Sequence, residues 1–205
     1  MIDTNDNCEY KAFFDEGISF YKSAQIVQGT DCRVCDDSID LFSPIVFLLR
    51  HAAELLLKSL IIKALFKSGI SEWQSFKFSS SNRKISSTHS LSELYSVWKE
   101  LDEAVGLTKD EIILLEEYVY NINCYDEDST FFRYPIDKNG SRNRKTMTET
   151  VDKELLNSLP CHLGALVCAK GSENFYCLHR EQFMDSLEFD MVELIRLLIR
   201  IFEKQ

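Results

Sequence analysis

Apolar residues recur at helical spacing along most of the chain. Between residues 8 and 28 they stand three or four positions apart, which predicts an amphipathic helix. The stretch 43–69 is apolar almost all round, opens with Ser43 and Pro44, and closes at Gly69. Serine before a helix, proline in its first turn and glycine just after its end are typical boundary residues. We therefore expect a long, buried, central helix over 43–69.

Two capping boxes predict the next two helices. Residues 70–88 are rich in serine and lack a helical pattern, so we expect a loop there. Ser90 with Glu93, and Thr108 with Glu111, then place a hydroxyl at a helix start and a carboxylate three residues later. Apolar residues follow each box at helical spacing, which predicts an amphipathic helix in both places.

The C-terminal third combines a basic stretch with further helix signals. Residues 133–145 carry five cationic side chains and one carboxylate around Asn139 and Gly140, which are typical turn residues. This pattern predicts a short hairpin or an ordered basic loop. Residues 151–170 are expected to form one or two short helices, and 186–203 a last amphipathic helix.

Together these elements predict an all-α bundle of five to seven helices. The chain has 205 residues, of which 45% are hydrophobic, enough to bury the core of one domain. We expect a single domain over 1–205, with a helical core over 8–137, a variable extension over 138–185 and a C-terminal helix over 186–205.

Charge and cysteine content narrow the possible function classes. The formal net charge of −10 excludes a uniformly basic surface, so a polyanion would need a local basic patch. The longest apolar stretch, 44–66, is interrupted by charged residues, so we expect no membrane helix. The N-terminus lacks a signal-peptide pattern and the seven cysteines are an odd number, which favours reduced thiols and a cytoplasmic protein.

Metal and cofactor motifs are sparse. Cys32 and Cys35 form a C-x-x-C pair, but the other cysteine and histidine residues have spacings that match no common zinc module. The sequence also contains no phosphate-binding glycine loop, dinucleotide fingerprint or zinc-protease motif. We therefore expect neither a bound metal nor a cofactor.

The predicted central helix carries an ionisable stripe. At about 100° per residue, four such side chains fall within one arc: Arg50, His51, Glu54 and Lys58. One interpretation is a solvated face with two ordinary salt bridges between residues four apart. The other is a partly enclosed site that binds an anion, with a histidine available for proton transfer. Three apolar residues share the arc and favour the enclosed site: Phe47, Ile61 and Leu65.

Three blocks of sequence resemble HEPN domains, compact helical bundles of prokaryotic nucleotidyltransferase-associated, toxin–antitoxin and antiphage proteins. Residues 49–60 (LRHAAELLLKSL) are similar to the "hA..AaE.alKal" helix of that family. Residues 88–94 (THSLSEL) resemble its "tHdl..L" helix start, and 132–137 (FRYPID) resemble its "RYPD" motif with one residue inserted. The blocks occur in family order and cover about 44–137.

The resemblance implies binding of a nucleotide or RNA phosphate in bacterial defence or toxin–antitoxin function. Arg50, Lys58 and Arg133 would bind phosphate, Glu54 would orient them, and His51 and His89 would lie nearby. It also implies a homodimer, with the apolar last helix as the expected surface, and a nucleotidyltransferase or defence-system partner.

Two alternatives remain open. One is a metal-independent endoribonuclease with His51, His89 and Glu54 as its catalytic residues. Catalytic HEPN members share an R-x(4–6)-H motif, and the spacing match in this chain is Arg83 with His89. The other alternative is a non-catalytic dimeric interaction module whose polar stripe is structural.

Overall fold

The fold is taken from a computed structural model that describes residues 7–29, 42–77, 83–101, 107–126, 165–170, 173–178 and 180–204. These residues form five α-helices and one two-stranded sheet. The helices are α1 (Asn7–Gly29), α2 (Phe42–Lys67), α3 (Leu91–Leu101), α4 (Lys109–Tyr125) and α5 (Arg180–Lys204). The strands are β1 (Ala165–Lys170) and β2 (Glu173–Leu178). The prediction that the chain forms a mainly helical bundle is therefore confirmed.

Helix α2 is the central element of the described core. Its residues between 52 and 62 are all buried, and α1, α3 and α5 pack around it. The helix begins one residue before Ser43 and ends two residues before Gly69. It ends there because Gly69 adopts a positive φ of 80°, and Ile70 N–H donates to Leu65 O at 2.9 Å. This hydrogen bond is typical of the Schellman motif that closes helices at glycine.

Helix α1 runs antiparallel to α2 and to α5, with small and aromatic residues at its contacts. At Gly17 of α1 the two backbones approach closely, because a Cβ atom there would lie 3.3 Å from the carbonyl oxygen of Ala52 in α2. Further along α1, the ring of Phe14 stacks on Phe202 of α5 with 3.8 Å between centroids. Helix α4 contacts α5 through Asn121, whose side-chain amide donates to Asp190 Oδ2 at 3.0 Å.

The connection between α2 and α3, where a loop was expected, contains two short 3₁₀ turns. Trp73–Ser75 and Ile85–Ser87 each form a single turn, and Lys77 pairs with Lys84 in an isolated antiparallel bridge. Trp73 and Ile85 are buried and hold this connection against the bundle.

The prediction of helical structure over 151–170 is wrong for the last six residues. Residues 165–170 form β1, which pairs with β2 from Ala165↔Leu178 to Lys170↔Glu173. The missed signal is the dipeptide Gly171-Ser172 between the two six-residue segments, because a glycine followed by serine is typical of a two-residue hairpin loop. Residues 151–164, and the hairpin or loop expected at 133–145, lie outside the described residues.

The last helix is longer than predicted, and its apolar face packs within the chain instead of forming an external surface. It begins at Arg180 rather than 186, so the extension expected over 138–185 overlaps it by six residues. Its apolar side packs inside the chain against α2 and α4, with Leu194 and Leu198 fully buried. The apolar face of α5 is therefore not available as the dimer surface that the sequence suggested. None of the described helices is both long and apolar enough to cross a membrane.

Candidate functional site

The polar stripe of α2 lies inside the bundle. The exposed fraction is 1% for both Arg50 and Glu54 and 4% for Lys58. A solvated face with two surface salt bridges is therefore the wrong interpretation of this stripe. Charged side chains that are buried this deeply need partners, because removing them from water is costly.

The residues before α3 cover this stripe. The backbone leaves the 3₁₀ turn Ile85–Ser87, and the Thr88 hydroxyl donates to the carbonyl oxygen of Lys84 at 3.1 Å. Ser90 then caps α3, because its Oγ accepts from the backbone N–H of Glu93 at 3.3 Å. The predicted capping serine is thus confirmed, and it fixes His89 immediately before the helix.

Four side chains meet between α2 and this turn, and we call them the Glu54 cluster: Arg50, Glu54, Lys58 and His89. Lys58 Nζ donates to Glu54 Oε1 at 2.8 Å, and His89 Nδ1 lies 2.9 Å from the same oxygen. Arg50 Nη2 donates to the backbone oxygen of His89 at 2.5 Å. Arg50 Nη1 also forms an ion pair with Glu54 Oε2 at 3.7 Å. Helix α2 therefore holds His89 by both its ring and its backbone.

Charge in the cluster keeps Glu54 ionised. Burial by itself would raise the pKa of Glu54. The attraction and hydrogen bond of Lys58, followed by the charge of Arg50, outweigh burial and hold the pKa below its ordinary value. An ionised carboxylate can only accept hydrogen bonds. We therefore assign a proton to Nδ1, the nitrogen of His89 that faces Glu54.

His89 is the accessible member of the cluster. Its side chain is 42% exposed, whereas that of Glu54 is 1% exposed. With Nδ1–H donating to Glu54, the other ring nitrogen, Nε2, accepts a hydrogen bond when the imidazole is neutral and donates one, for example to a phosphate oxygen, when the ring is protonated. The arrangement can therefore present a fixed imidazole nitrogen to a ligand, with two cations beneath it.

His51 occupies a different environment from the rest of the stripe. Its ring lies edge-on to Phe20 of α1, with 4.5 Å between centroids, and parallel to Phe47 at 5.9 Å. Its described ring contacts therefore belong to the packing of α1 on α2 and not to the Glu54 cluster. The sequence pattern grouped His51 with the stripe, because helical spacing does not show which neighbouring helix a side chain contacts.

The remaining predicted residues fall in two groups. Arg133, Cys32 and Cys35 lie outside the described residues. Arg83 is described: its side chain is 57% exposed and forms a 3.6 Å ion pair with Glu93. Among the residues that the structure describes, no group of three or more histidine, cysteine or acidic residues is placed to hold a metal ion.

Two features of this region have no signal in the sequence pattern. One is the backbone oxygen of His89 as the acceptor for Arg50, which no side-chain pattern reveals. The other is the bridge that pairs Lys77 with Lys84, seven positions further along the chain, across a serine-rich segment.

Comparison with known proteins adds no family assignment. The chain has no significant match among protein-family models, curated proteins or solved structures. The HEPN resemblance over 44–137 therefore stays a hypothesis from sequence.

Proposed function

We propose that this protein is a HEPN-like module that binds the phosphate group of a nucleotide or RNA at His89. The observation that carries the proposal is the half-exposed His89 ring, held by the buried carboxylate of Glu54 among two buried cations. A bacterial defence or toxin–antitoxin setting, a homodimer and a nucleotidyltransferase or defence-system partner belong to the same proposal.

The buried cations would act on the ligand through their field. Arg50 and Lys58 are too deeply buried to offer a surface to a ligand atom. Their charges are nevertheless weakly screened, because little water separates them from the site. The partial positive charge at the start of α3 has the same sign and lies beside His89. Arg133 is a further phosphate contact in this proposal, on the strength of the resemblance alone.

Two substitutions of His89 separate ligand contact from structural support. Asparagine keeps an amide N–H near the position of Nδ1, so it can still donate to Glu54, but it lacks the outward nitrogen. Glutamine places its amide near Nε2. We expect His89→Asn to weaken binding of adenosine monophosphate about tenfold, the loss of roughly one charge-assisted hydrogen bond. His89→Gln should retain more of the affinity.

Isothermal titration of the full chain measures both variants. Lys22→Ala on the exposed side of α1 is the control, and it should bind like the wild-type protein. Equal affinity in the wild-type protein and His89→Asn, with both folded, would contradict the proposal. A lower melting temperature with unchanged affinity would instead favour the interaction module.

A second candidate, the metal-independent endoribonuclease, is favoured by the contact between Glu54 and His89. A carboxylate that fixes Nδ1–H orients the imidazole so that Nε2 can accept a proton from a ribose 2′-hydroxyl. Buried cations nearby would stabilise charge in the transition state. His51, packed between phenylalanines, is the less favoured base.

RNA cleavage in EDTA tests this candidate. We expect His89→Ala to lower the cleavage rate about 10²–10⁴-fold, the usual contribution of a general base, and His51→Ala to change it less. A folded wild-type protein that leaves mixed-sequence RNA intact would remove the candidate and leave the binding function.

A further inference from the structure

Two exposed lysines face each other in the connection between α2 and α3. Lys77 and Lys84 are partners in an isolated antiparallel bridge, and both are exposed. Directly opposed residues have Cβ atoms about 5 Å apart, and like charges in such pairs repel. Neither lysine forms an ion pair with a carboxylate of the described residues. An anion that lies between the two ammonium groups would relieve this repulsion.

The bridge is close to His89 along the chain. Both the Ser87 and Thr88 hydroxyls donate to the backbone oxygen of Lys84, at 3.1 Å, which ties the bridge to the residue before His89. Because Thr88 Oγ1 lies 3.1 Å from Lys84 O and successive Cα atoms are about 3.8 Å apart, the Cα atoms of Lys84 and His89 lie within about 12 Å of each other. Arg83, which is exposed and forms an ion pair with Glu93, adds a third cation next to Lys84 in the chain.

We propose that this surface, formed by Lys77, Arg83 and Lys84, binds the backbone phosphates that adjoin the phosphate at His89. The ligand would then be a single-stranded phosphodiester chain and not a mononucleotide. The inference rests on the proposed function, because it takes the phosphate at His89 as its starting point. In a chain of net charge −10, such a local cluster of cations is where a polyanion can bind.

The test compares adenosine monophosphate with an oligoadenylate RNA of about eight nucleotides, over a series of salt concentrations. We expect the oligonucleotide to bind more tightly. The double variant Lys77→Ala/Lys84→Ala should weaken its binding and reduce the slope of log affinity against log salt by about 1.4, or 0.7 for each lost phosphate contact. Binding of adenosine monophosphate should not change.

A matched control removes the same charge elsewhere. Lys22→Ala/Lys109→Ala replaces two exposed lysines on α1 and α4 and should keep the wild-type slope. A DNA oligonucleotide of the same sequence identifies the source of the phosphodiester. Equal binding indicates recognition of the backbone alone, and tighter binding of RNA indicates a contact to the 2′-hydroxyl; either result is consistent with the inference.

The outcomes separate this inference from the proposed function. If the Lys77→Ala/Lys84→Ala protein binds the oligonucleotide like the control variant, while His89→Asn still weakens binding, the inference is wrong and the function stands. If only the lysine variant weakens binding, the lysines bind the oligonucleotide without His89, and both the proposed role of His89 and the placement of a phosphate there are wrong. Absence of binding to both ligands overturns the two together.

Discussion

At the scale of single residues, one buried carboxylate organises the candidate site. Glu54 accepts from Lys58 and His89 and forms an ion pair with Arg50. A buried group with several charged partners is costly to change, because removal of one charge leaves the others buried without compensation. Four-residue spacing in the sequence predicted the Arg50–Glu54–Lys58 contacts. His89 could not be placed from spacing, because 35 residues separate it from Glu54.

The depressed pKa of Glu54 predicts a pH-dependent stability. Because its folded pKa lies below the ordinary value of 4.5, its contribution is complete above that value and is lost as pH falls through the folded pKa. We expect Glu54→Gln to lower the free energy of unfolding near pH 7 by about 3–5 kcal/mol. The difference from the wild-type protein should shrink as the pH is lowered into the acid range.

Urea unfolding of both proteins at several pH values measures this difference. Glu100→Gln makes the same chemical change at an exposed position of α3 and should alter the free energy of unfolding by no more than about 0.5 kcal/mol. Parallel pH profiles for the wild-type protein and Glu54→Gln would show that the carboxylate is not the titrating group.

At the scale of elements, helix ends were more predictable than strands. The box of Thr108 and Glu111 is present with both of its hydrogen bonds, and Ser90 caps α3. Each cap is a contact between residues only three positions apart, so a short sequence pattern is enough to predict it. The hairpin of β1 and β2 was missed, because six apolar-rich residues satisfy a short helix and a short strand about equally well.

The closeness of α1 and α2 predicts that Gly17 cannot take a side chain without cost. A Cβ atom there would lie 3.0 Å from Leu56 Cγ and 3.3 Å from Ala52 O. We expect Gly17→Leu to lower the free energy of unfolding by about 1–3 kcal/mol, a typical cost of overpacking. Thermal or urea unfolding measures the loss.

Gly29 provides the control at the end of the same helix. A Cβ atom at Gly29 would meet no atom within 4 Å, so Gly29→Leu should change stability by no more than about 0.5 kcal/mol. Equal effects at the two positions would mean that helix propensity and not interhelical distance controls them.

At the scale of the whole molecule, the sequence by itself determined the helical class, the central place of α2 and the starts of α3 and α4. Apolar periodicity and capping act over a few residues, so they can be read along the chain. Only the tertiary structure decided that the stripe of Arg50, Glu54 and Lys58 is buried and that His89 completes it. It alone brought Lys77 beside Lys84. The contact of His89 with Glu54 joins residues 35 positions apart, and both contacts depend on how helices and turns pack, which no local pattern specifies.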